Sequence, residues 1–137
     1  MTEVAAPATV FIVDDDASVR RAVQRLLRAA HYRVIGCASA DEFLSQPAVP
    51  RPFCVIVDVR MPDVSGLDLQ ERLHRGPRAT PVILMSGHAD VATAARARAA
   101  GAVAFLTKPF DAVLLLAAVR KALQDDATDE PMGPGGV

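Results

Sequence analysis

The sequence is poor in several residue types that characterise particular classes of protein. It has no Trp, one Tyr, two Cys and only two Lys among its 15 basic residues. Cys37 and Cys54 lie in apolar segments without CxxC spacing, so we expect buried free thiols in a reducing cytoplasm rather than a zinc or redox motif. With 15 basic against 16 acidic residues, the balance disfavours a surface that coats nucleic acid.

Long apolar runs and the common nucleotide-binding motifs are also missing. No apolar run approaches the ~20 residues of a membrane span, and the N-terminal MTEVAAPAT lacks the basic and apolar regions of a signal peptide. We therefore expect no membrane partner. The sequence contains no GxxxxGK[ST], no GxGxxG after the first apolar segment and no GxSxG elbow. A P-loop, a dinucleotide site and an α/β-hydrolase site are accordingly disfavoured.

The chain does contain a regular alternation of two segment types, separated by Pro and Gly. Short apolar runs predict strands at Thr9–Val13, Arg33–Cys37, Phe53–Val57, Pro81–Met85 and Val103–Leu106. The segments between and after them predict helices at Ser18–Ala30, Ala40–Ser45, Gly66–Arg75, Asp90–Ala100 and Asp111–Leu123. Ser39 and Asp90 are expected as N-caps, and Gly101 as a stop.

This alternation predicts one α/β domain. Apolar strands that alternate with helices indicate a parallel sheet covered on both faces. We expect residues 1–8 to form an N-terminal tail and residues 9–124 the domain. The remaining residues 125–137 are polar and rich in Gly and Pro, which predicts a disordered C-terminal tail.

Polar side chains follow four of the five predicted strands. Asp14–Asp16 follow the first strand, Asp58 the third, Ser86 the fourth and Lys108 the fifth. Ordinary loop composition could explain any one of these positions, but it explains the joint pattern poorly. In open parallel sheets, ligands bind beyond the carboxyl ends of the strands, so these groups are expected to share a site.

Carboxylates that converge in this way require a cation. Two of them ~4 Å apart repel by about 4 kcal/mol at an effective dielectric constant near 20. Mg²⁺ suits a site with one or two carboxylates and a phosphate oxygen, while Lys108 offers a point charge and Ser86 a hydroxyl to phosphoryl oxygens. Since a carboxylate can itself act as the nucleophile, the set indicates metal-assisted phosphoryl transfer onto an Asp.

Four motifs give the chain a family resemblance. They are VDDD at Val13–Asp16, DVRMPDVSG at Asp58–Gly66, MSG at Met85–Gly87 and KPF at Lys108–Phe110. In this order they resemble the receiver domain of two-component response regulators, over Thr9 to Leu123. SGHADV and GAVAFLTKPF are most similar to the FixJ-type branch. The resemblance implies a single doubly wound (βα)5 domain, a flavodoxin-like three-layer sandwich with a parallel sheet of order 2-1-3-4-5.

The same resemblance implies the site residues. Asp58 would be the phosphoacceptor, with Ser86 and Lys108 bound to the phosphoryl oxygens. The implied Mg²⁺ ligands are Asp15, Asp58, the backbone carbonyl of Arg60 and, through a water, Asp14. A cis peptide between Lys108 and Pro109 is also implied.

The resemblance further implies how the domain would signal. A sensor histidine kinase would donate the phosphoryl group, and Ser86 and Phe105 would switch the surface of the fourth helix, fifth strand and fifth helix. Phe105 lacks the hydroxyl of a Tyr, so it would act by packing alone. We expect this switch to control the binding of a protein partner, which could be a second copy of the chain in a phosphorylation-dependent homodimer. We expect no enzymatic turnover beyond self-phosphorylation and self-dephosphorylation.

Two alternative functions each fit part of the sequence. A haloacid-dehalogenase-type phosphatase would use Asp14 as nucleophile within the motif Asp14-x-Asp16-x-Ser18. Such an enzyme also needs an acidic metal-binding motif after Lys108, but there Asp111 stands alone and is expected as a helix cap. A receiver-like interaction module that does not use phosphate is disfavoured by the complete acidic pocket. Because little chain follows Leu123, we expect a stand-alone receiver, with a fragment of a longer DNA-binding regulator as the alternative.

Overall fold

A computed structural model describes residues 7–61, 64–75, 79–87 and 91–128 of the chain. The strands are β1 (Thr9–Val13), β2 (Arg33–Cys37), β3 (Phe53–Asp58), β4 (Val82–Ser86) and β5 (Ala104–Thr107). The helices are α1 (Ala17–Ala29), α2 (Ala40–Leu44), α3 (Gly66–His74), α4 (Val91–Ala99) and α5 (Ala112–Thr128). Within the described ranges, no helix is long and apolar enough to cross a bilayer.

The five strands form one parallel sheet in the order β2-β1-β3-β4-β5. Successive side chains of β1 point to opposite faces, as the period of a strand requires. Val10 and Ile12 pack in the core beneath α1 and α5, whereas Phe11 and Val13 pack beneath α2, α3 and α4. The predicted three-layer flavodoxin-like fold and its strand order are therefore confirmed.

Local capping sets several helix ends as expected. The Ser39 hydroxyl accepts a hydrogen bond from the backbone N–H of Glu42 at 3.0 Å, at the start of α2. Asp111 accepts from the N–H groups of Val113 and Leu114 in the first turn of α5. Gly101, just beyond α4, adopts a φ of 90°, which favours glycine and ends the helix. Asp90, the predicted cap of α4, lies outside the described residues.

Three strands differ from the prediction by one residue toward the carboxyl end: β3 ends one residue later, and β4 and β5 each begin and end one residue later. β3 includes Asp58, and β4 includes Ser86, which pairs with Thr107 of β5. The ladder continues through these polar residues because the neighbouring strand is still in register. The shift places the polar side chains at the sheet edge itself rather than in the loops beyond it.

The C-terminal helix corrects the predicted tail. α5 continues to Thr128, beyond the predicted end at Leu123, so a disordered tail beginning at residue 125 is wrong for residues 125–128. Asp126 is 1% exposed and accepts hydrogen bonds from the Arg51 guanidinium and from the N–H of Phe53. Both partners lie far from Asp126 along the chain, so local composition did not reveal these hydrogen bonds. Residues 129–137 lie outside the described residues.

Both cysteines are buried free thiols, as expected from the sequence. Burial, with a smaller contribution from the charge of Glu42, raises the pKa of the Cys37 thiol to about 11. Burial likewise raises the pKa of Cys54, which lies on β3 beneath α5. The thiols are therefore protonated at neutral pH and poorly reactive.

Candidate functional site

The candidate site lies at the carboxyl edge of the sheet, around the ends of β1, β3, β4 and β5. The strand order reverses at β1, whose neighbours are β2 on one side and β3 on the other. Crossovers that leave β1 and β3 in opposite directions open a crevice at this point. Asp14 follows β1 and Asp58 ends β3, so both carboxylates meet there.

Asp14 is the most completely bonded residue of this edge. It has no exposed surface, and its N–H donates to the carbonyl of Cys37 at 3.0 Å. Its Oδ1 accepts from the N–H of Asp16 at 2.9 Å, and its Oδ2 accepts from Lys108 Nζ at 2.8 Å. The carbonyl of Asp14 accepts from Arg20 Nη1 at 2.6 Å. Each polar group of Asp14 therefore has a partner.

Three carboxylates share this crevice. Asp14, Asp15 and Asp58 each present an oxygen within 4.8 Å of the others. Asp14 and Asp58 are buried, while Asp15 is exposed at the mouth. Buried carboxylates at such separations repel one another, and an all-oxygen donor set of this kind fits a hard divalent cation such as Mg²⁺.

Lys108 bridges two of the acids. Its ammonium lies 2.8 Å from Asp14 Oδ2 and 3.3 Å from Asp58 Oδ2. Burial lowers the pKa of Lys108, but the hydrogen bond and charge of Asp14, together with Asp58, outweigh it and raise the pKa above its ordinary value. Lys108 is thus held as a cation against the acidic pair.

The electrostatic environment of Asp58 is different. Its pKa is raised, first because the carboxyl is buried and second because the Asp14 charge lies nearby. Lys108 and the N–H of Arg60, which donates to Asp58 Oδ1 at 3.3 Å, reduce this shift without reversing it. A divalent cation would relieve the unfavourable environment by neutralising both carboxylates.

The remaining predicted residues occupy the surrounding strands. Ser86 is 2% exposed at the end of β4, and its carbonyl accepts from the N–H of Lys108 at 2.8 Å. Phe105 lies on β5 beside Leu84, half-buried against the core beneath α2, α3 and α4. Arg60 is exposed, and its backbone follows Asp58 closely. The fold thus brings the predicted polar site residues to one edge of the sheet, while Phe105 lies within β5, three residues before Lys108.

Two further residues support the site, and the sequence did not reveal this supporting role. Arg20 bonds the Asp14 carbonyl, although its position in α1 resembles that of the neighbouring arginines. Gly66 lies so close to β3 that a Cβ there would be 2.4 Å from the Asp58 carbonyl oxygen. Gly66 belongs to the DVRMPDVSG motif, but only the three-dimensional contact reveals its packing role.

The peptide between Lys108 and Pro109 is cis, as the resemblance implied. A second cis peptide, between Arg51 and Pro52, was not predicted. His88, two residues beyond the end of β4, lies outside the described residues.

Comparison with known proteins identifies the family of the chain. The family model for the response regulator receiver domain matches residues 10–120 of the sequence. The chain belongs to this family. It is 43% identical over 117 residues to the response regulator protein TmoT of Ectopseudomonas mendocina, covering 85% of this chain and 53% of TmoT. It is 39% identical over 129 residues to the transcriptional regulatory protein FixJ of Azorhizobium caulinodans, covering 88% of this chain and 61% of FixJ.

Solved receiver structures agree with the fold. The response regulator StyR superimposes with a TM-score of 0.82 at 40% identity, over 90% of this chain and 62% of StyR. The receiver identification and the predicted similarity to FixJ are therefore confirmed. The chain spans about half the length of the curated relatives it matches.

Proposed function

We propose that this receiver is a phosphoacceptor of a two-component phosphorelay and that Asp58 carries the phosphoryl group. The observation that supports this most strongly is the crevice itself, where Asp14, Asp15 and Asp58 converge within 4.8 Å. Lys108 lies against two of them, 3.3 Å from Asp58 Oδ2. A nucleophilic carboxylate, a cation site and a fixed ammonium are the groups that phosphoryl transfer to Asp requires.

The residues at the site suit Mg²⁺. Asp15 and Asp58 would ligate the ion directly, with Asp14 acting through a water and Arg60 through its backbone carbonyl. Bound there, Mg²⁺ would neutralise charge on the carboxylates and on the phosphoryl oxygens. Each oxygen of the donor set is hard, in keeping with this ion rather than with zinc or copper.

The transfer step follows from the chemistry of Asp58. One of its carboxylate oxygens attacks the phosphorus of a phosphohistidine on a sensor histidine kinase. The new P–O bond forms as the P–N bond breaks, and the departing imidazole nitrogen takes up a proton. Lys108 stabilises the negative charge on the transferred group, and the Ser86 hydroxyl donates to one of its oxygens.

Signalling would follow from a change in the populations of two conformations. The phosphorylated form favours a state in which Ser86 has moved toward the phosphoryl group and Phe105 packs into the space vacated. The surface of α4, β5 and α5 then changes, which alters binding to a protein partner or a second copy of the chain. The extent of the shift depends only on how differently the phosphoryl group interacts with the two states.

We also propose that the output is a protein contact rather than enzymatic turnover or direct binding of nucleic acid.

The packing of α4 suits a helix that moves in this switch. Among the described residues of α4, Ala97 is the one that is buried. A helix with few large apolar anchors shifts at low cost.

Uptake of phosphate from acetyl phosphate tests the proposal. Wild-type protein in Mg²⁺ should gain one phosphoryl group by intact mass, and Asp58→Asn should gain none. Asp41→Asn, which changes an exposed carboxyl on α2, is the matched control and should behave as wild type. Uptake by Asp58→Asn at the wild-type rate would overturn the assignment.

A phosphatase would give a different result. An enzyme that uses Asp14 as nucleophile would release inorganic phosphate from phosphate esters in repeated turnovers. Asp14→Asn would abolish that turnover, whereas Asp58→Asn would leave a phosphorylated enzyme intermediate.

A further inference from the structure

The carbonyl of Asp14 lies just beyond the regular pairing of β1. The ladder between β1 and β2 ends at the pair Val13 and Cys37, after which only the N–H of Asp14 still reaches β2. The Asp14 carbonyl therefore needs another donor. Arg20 supplies it, because its Nη1 lies 2.6 Å from this oxygen.

Arg20 differs in this respect from the other arginines of α1. Arg21, Arg25 and Arg28 are exposed along the helix, whereas Arg20 is half-buried and turned toward the sheet. Its side chain passes close to β2, where a Cβ on Gly36 would lie 3.7 Å from Arg20 Cδ. The absence of a side chain at Gly36 leaves the space through which α1 approaches this end of the sheet.

The bonded carbonyl belongs to the peptide that joins Asp14 to Asp15. Asp14 has further anchors, in Asp16 and Lys108, but Asp15 does not share them. Among residues 7–61, 64–75, 79–87 and 91–128, no hydrogen bond to the Asp15 carboxylate is found. The position of the exposed Asp15 carboxylate therefore depends on the Asp15 backbone. Arg20 holds the peptide plane that precedes Asp15, because it donates a hydrogen bond to the Asp14 carbonyl.

We propose that Arg20 is a positioning residue of the metal site. By fixing the Asp14–Asp15 peptide, Arg20 orients the Asp15 carboxylate toward the point where the three carboxylates converge. The inference rests on the proposed function, because it concerns how that function's cation site is preorganised. Residues that orient metal ligands typically affect metal affinity by 10–100-fold when they are replaced.

Mg²⁺ affinity of the unphosphorylated protein is the direct test, measured by titration calorimetry since the sequence has no Trp to report binding. Arg20→Met keeps the aliphatic stem but removes the donor, and it should raise the Kd about tenfold. Arg20→Lys restores one donor and should recover part of the affinity. Arg21→Met removes the same charge from the adjacent, exposed position and should leave the Kd near that of wild type.

A second readout separates positioning from simple stabilisation. In ¹H–¹⁵N spectra without Mg²⁺, Arg20→Met should shift the amides of Asp15 and Asp16 more than any amide on α3 or β4. If Arg20 only stabilised the fold, the melting temperature would fall while the Kd for Mg²⁺ stayed constant. If it acted only by its charge, Arg20→Met and Arg21→Met would weaken binding equally. Either result overturns the inference.

The wild-type titration distinguishes this inference from the proposed function. If wild-type protein binds no Mg²⁺, the proposed function itself fails. If wild type binds Mg²⁺ and both Arg20 variants bind it with the wild-type Kd, only the role of Arg20 is wrong. Should Arg20→Met fail to fold, Arg20→Lys decides the question. Its single donor should recover only part of the affinity and should leave the amides of Asp15 and Asp16 shifted, so a wild-type Kd with unshifted amides in that variant overturns the inference.

Discussion

The ammonium of Lys108 lies 2.8 Å from Oδ2 of Asp14, a carboxylate that is almost fully buried. The pair joins the loop after β5 to the end of β1, across two intervening strands of the sheet. Lys108 therefore has a structural role as well as the proposed role in binding phosphoryl oxygens.

Replacing Lys108 should reveal this structural role. In Lys108→Met, Asp14 stays buried without its cation, and Asp58 remains beside it as a like charge. Removing one partner of a buried ion pair costs about 3–5 kcal/mol, and the 20% exposure of the Lys108 side chain places the expected loss near the lower end. Urea unfolding without Mg²⁺ measures it.

A double variant provides the control for this measurement. Lys108→Met combined with Asp14→Asn removes both charges of the pair and should recover most of the lost stability. An unfolding free energy that is unchanged in Lys108→Met would show that the ion pair contributes nothing to the fold.

Asp58→Asn should stabilise the protein in the absence of Mg²⁺ at neutral pH. Burial and the Asp14 charge raise the pKa of Asp58, so the folded state holds this proton more tightly than the unfolded state does. Ionisation of Asp58 therefore reduces stability above its ordinary pKa. Asn removes this unfavourable charge, and the melting temperature at pH 7 in EDTA should rise.

The pH dependence checks the sign of this effect. As the pH falls through the raised pKa toward the ordinary value of 3.8, wild-type Asp58 becomes protonated and the advantage of Asn should shrink. Asp41→Asn, at an exposed position of α2, is the control and should change the melting temperature little. Adding Mg²⁺ should stabilise wild type more than Asp58→Asn. A variant less stable than wild type at pH 7 without metal would contradict this account of the crevice.

The close packing of Gly66 predicts a sensitive position. A Cβ at this residue would lie 2.4 Å from the Asp58 carbonyl oxygen and 2.9 Å from its carbonyl carbon, so backbone must move. Gly66→Ala should destabilise the fold by about 1–3 kcal/mol, the usual range for overpacking. It should also slow phosphate uptake, because the displaced backbone carries Asp58. Thermal unfolding and acetyl phosphate uptake measure the two effects.

Gly87 provides the matched control for Gly66. It follows β4, and a Cβ there meets no atom of the described residues within 4 Å. Gly87→Ala should leave the melting temperature close to that of wild type. Equal destabilisation by the two substitutions would show that chain flexibility, and not contact with β3, explains the effect.

Replacing the buried Asp126 should reduce the free energy of unfolding more than the polar sequence around it suggests. Its carboxylate accepts hydrogen bonds from Arg51 and from the N–H of Phe53 at 2.9 Å. Asp126→Ala would leave a part-buried N–H and a guanidinium without this acceptor, at a cost of about 2–3 kcal/mol. Asp125→Ala, which removes an exposed partner of Lys121, should cost less than about 1 kcal/mol. Equal losses in urea unfolding would argue against the anchoring of α5 by Asp126.

Features that depend on local pattern could be predicted from the sequence, and those that depend on distant contacts could not. The bounds of β1 and β2 match the prediction, and the end of β1 is local in origin because its apolar β-branched run stops at Asp14. The end of α5 was missed because Asp126 is indistinguishable from a solvated tail residue until Arg51 is brought beside it. Similarly, nothing in the pattern of α1 separates Arg20 from Arg21, since only the fold shows which one reaches the Asp14 carbonyl.

The site was more predictable than these supports. Polar residues at four strand ends must converge once the sheet is parallel, so Asp14, Asp58, Ser86 and Lys108 could be grouped before any distance was known. Which acid would ligate the metal and which would accept phosphate came from the family resemblance rather than from spacing.

Locating the acyl phosphate along the chain is the most direct test of the proposed function. After incubation with acetyl phosphate and Mg²⁺, borohydride reduction converts a phosphorylated Asp to homoserine, which peptide mass spectrometry can place. The account predicts homoserine at position 58 in wild type and in Asp41→Asn, and none in Asp58→Asn. Homoserine at position 14, or no labelled Asp under conditions where Mg²⁺ is bound, would contradict it.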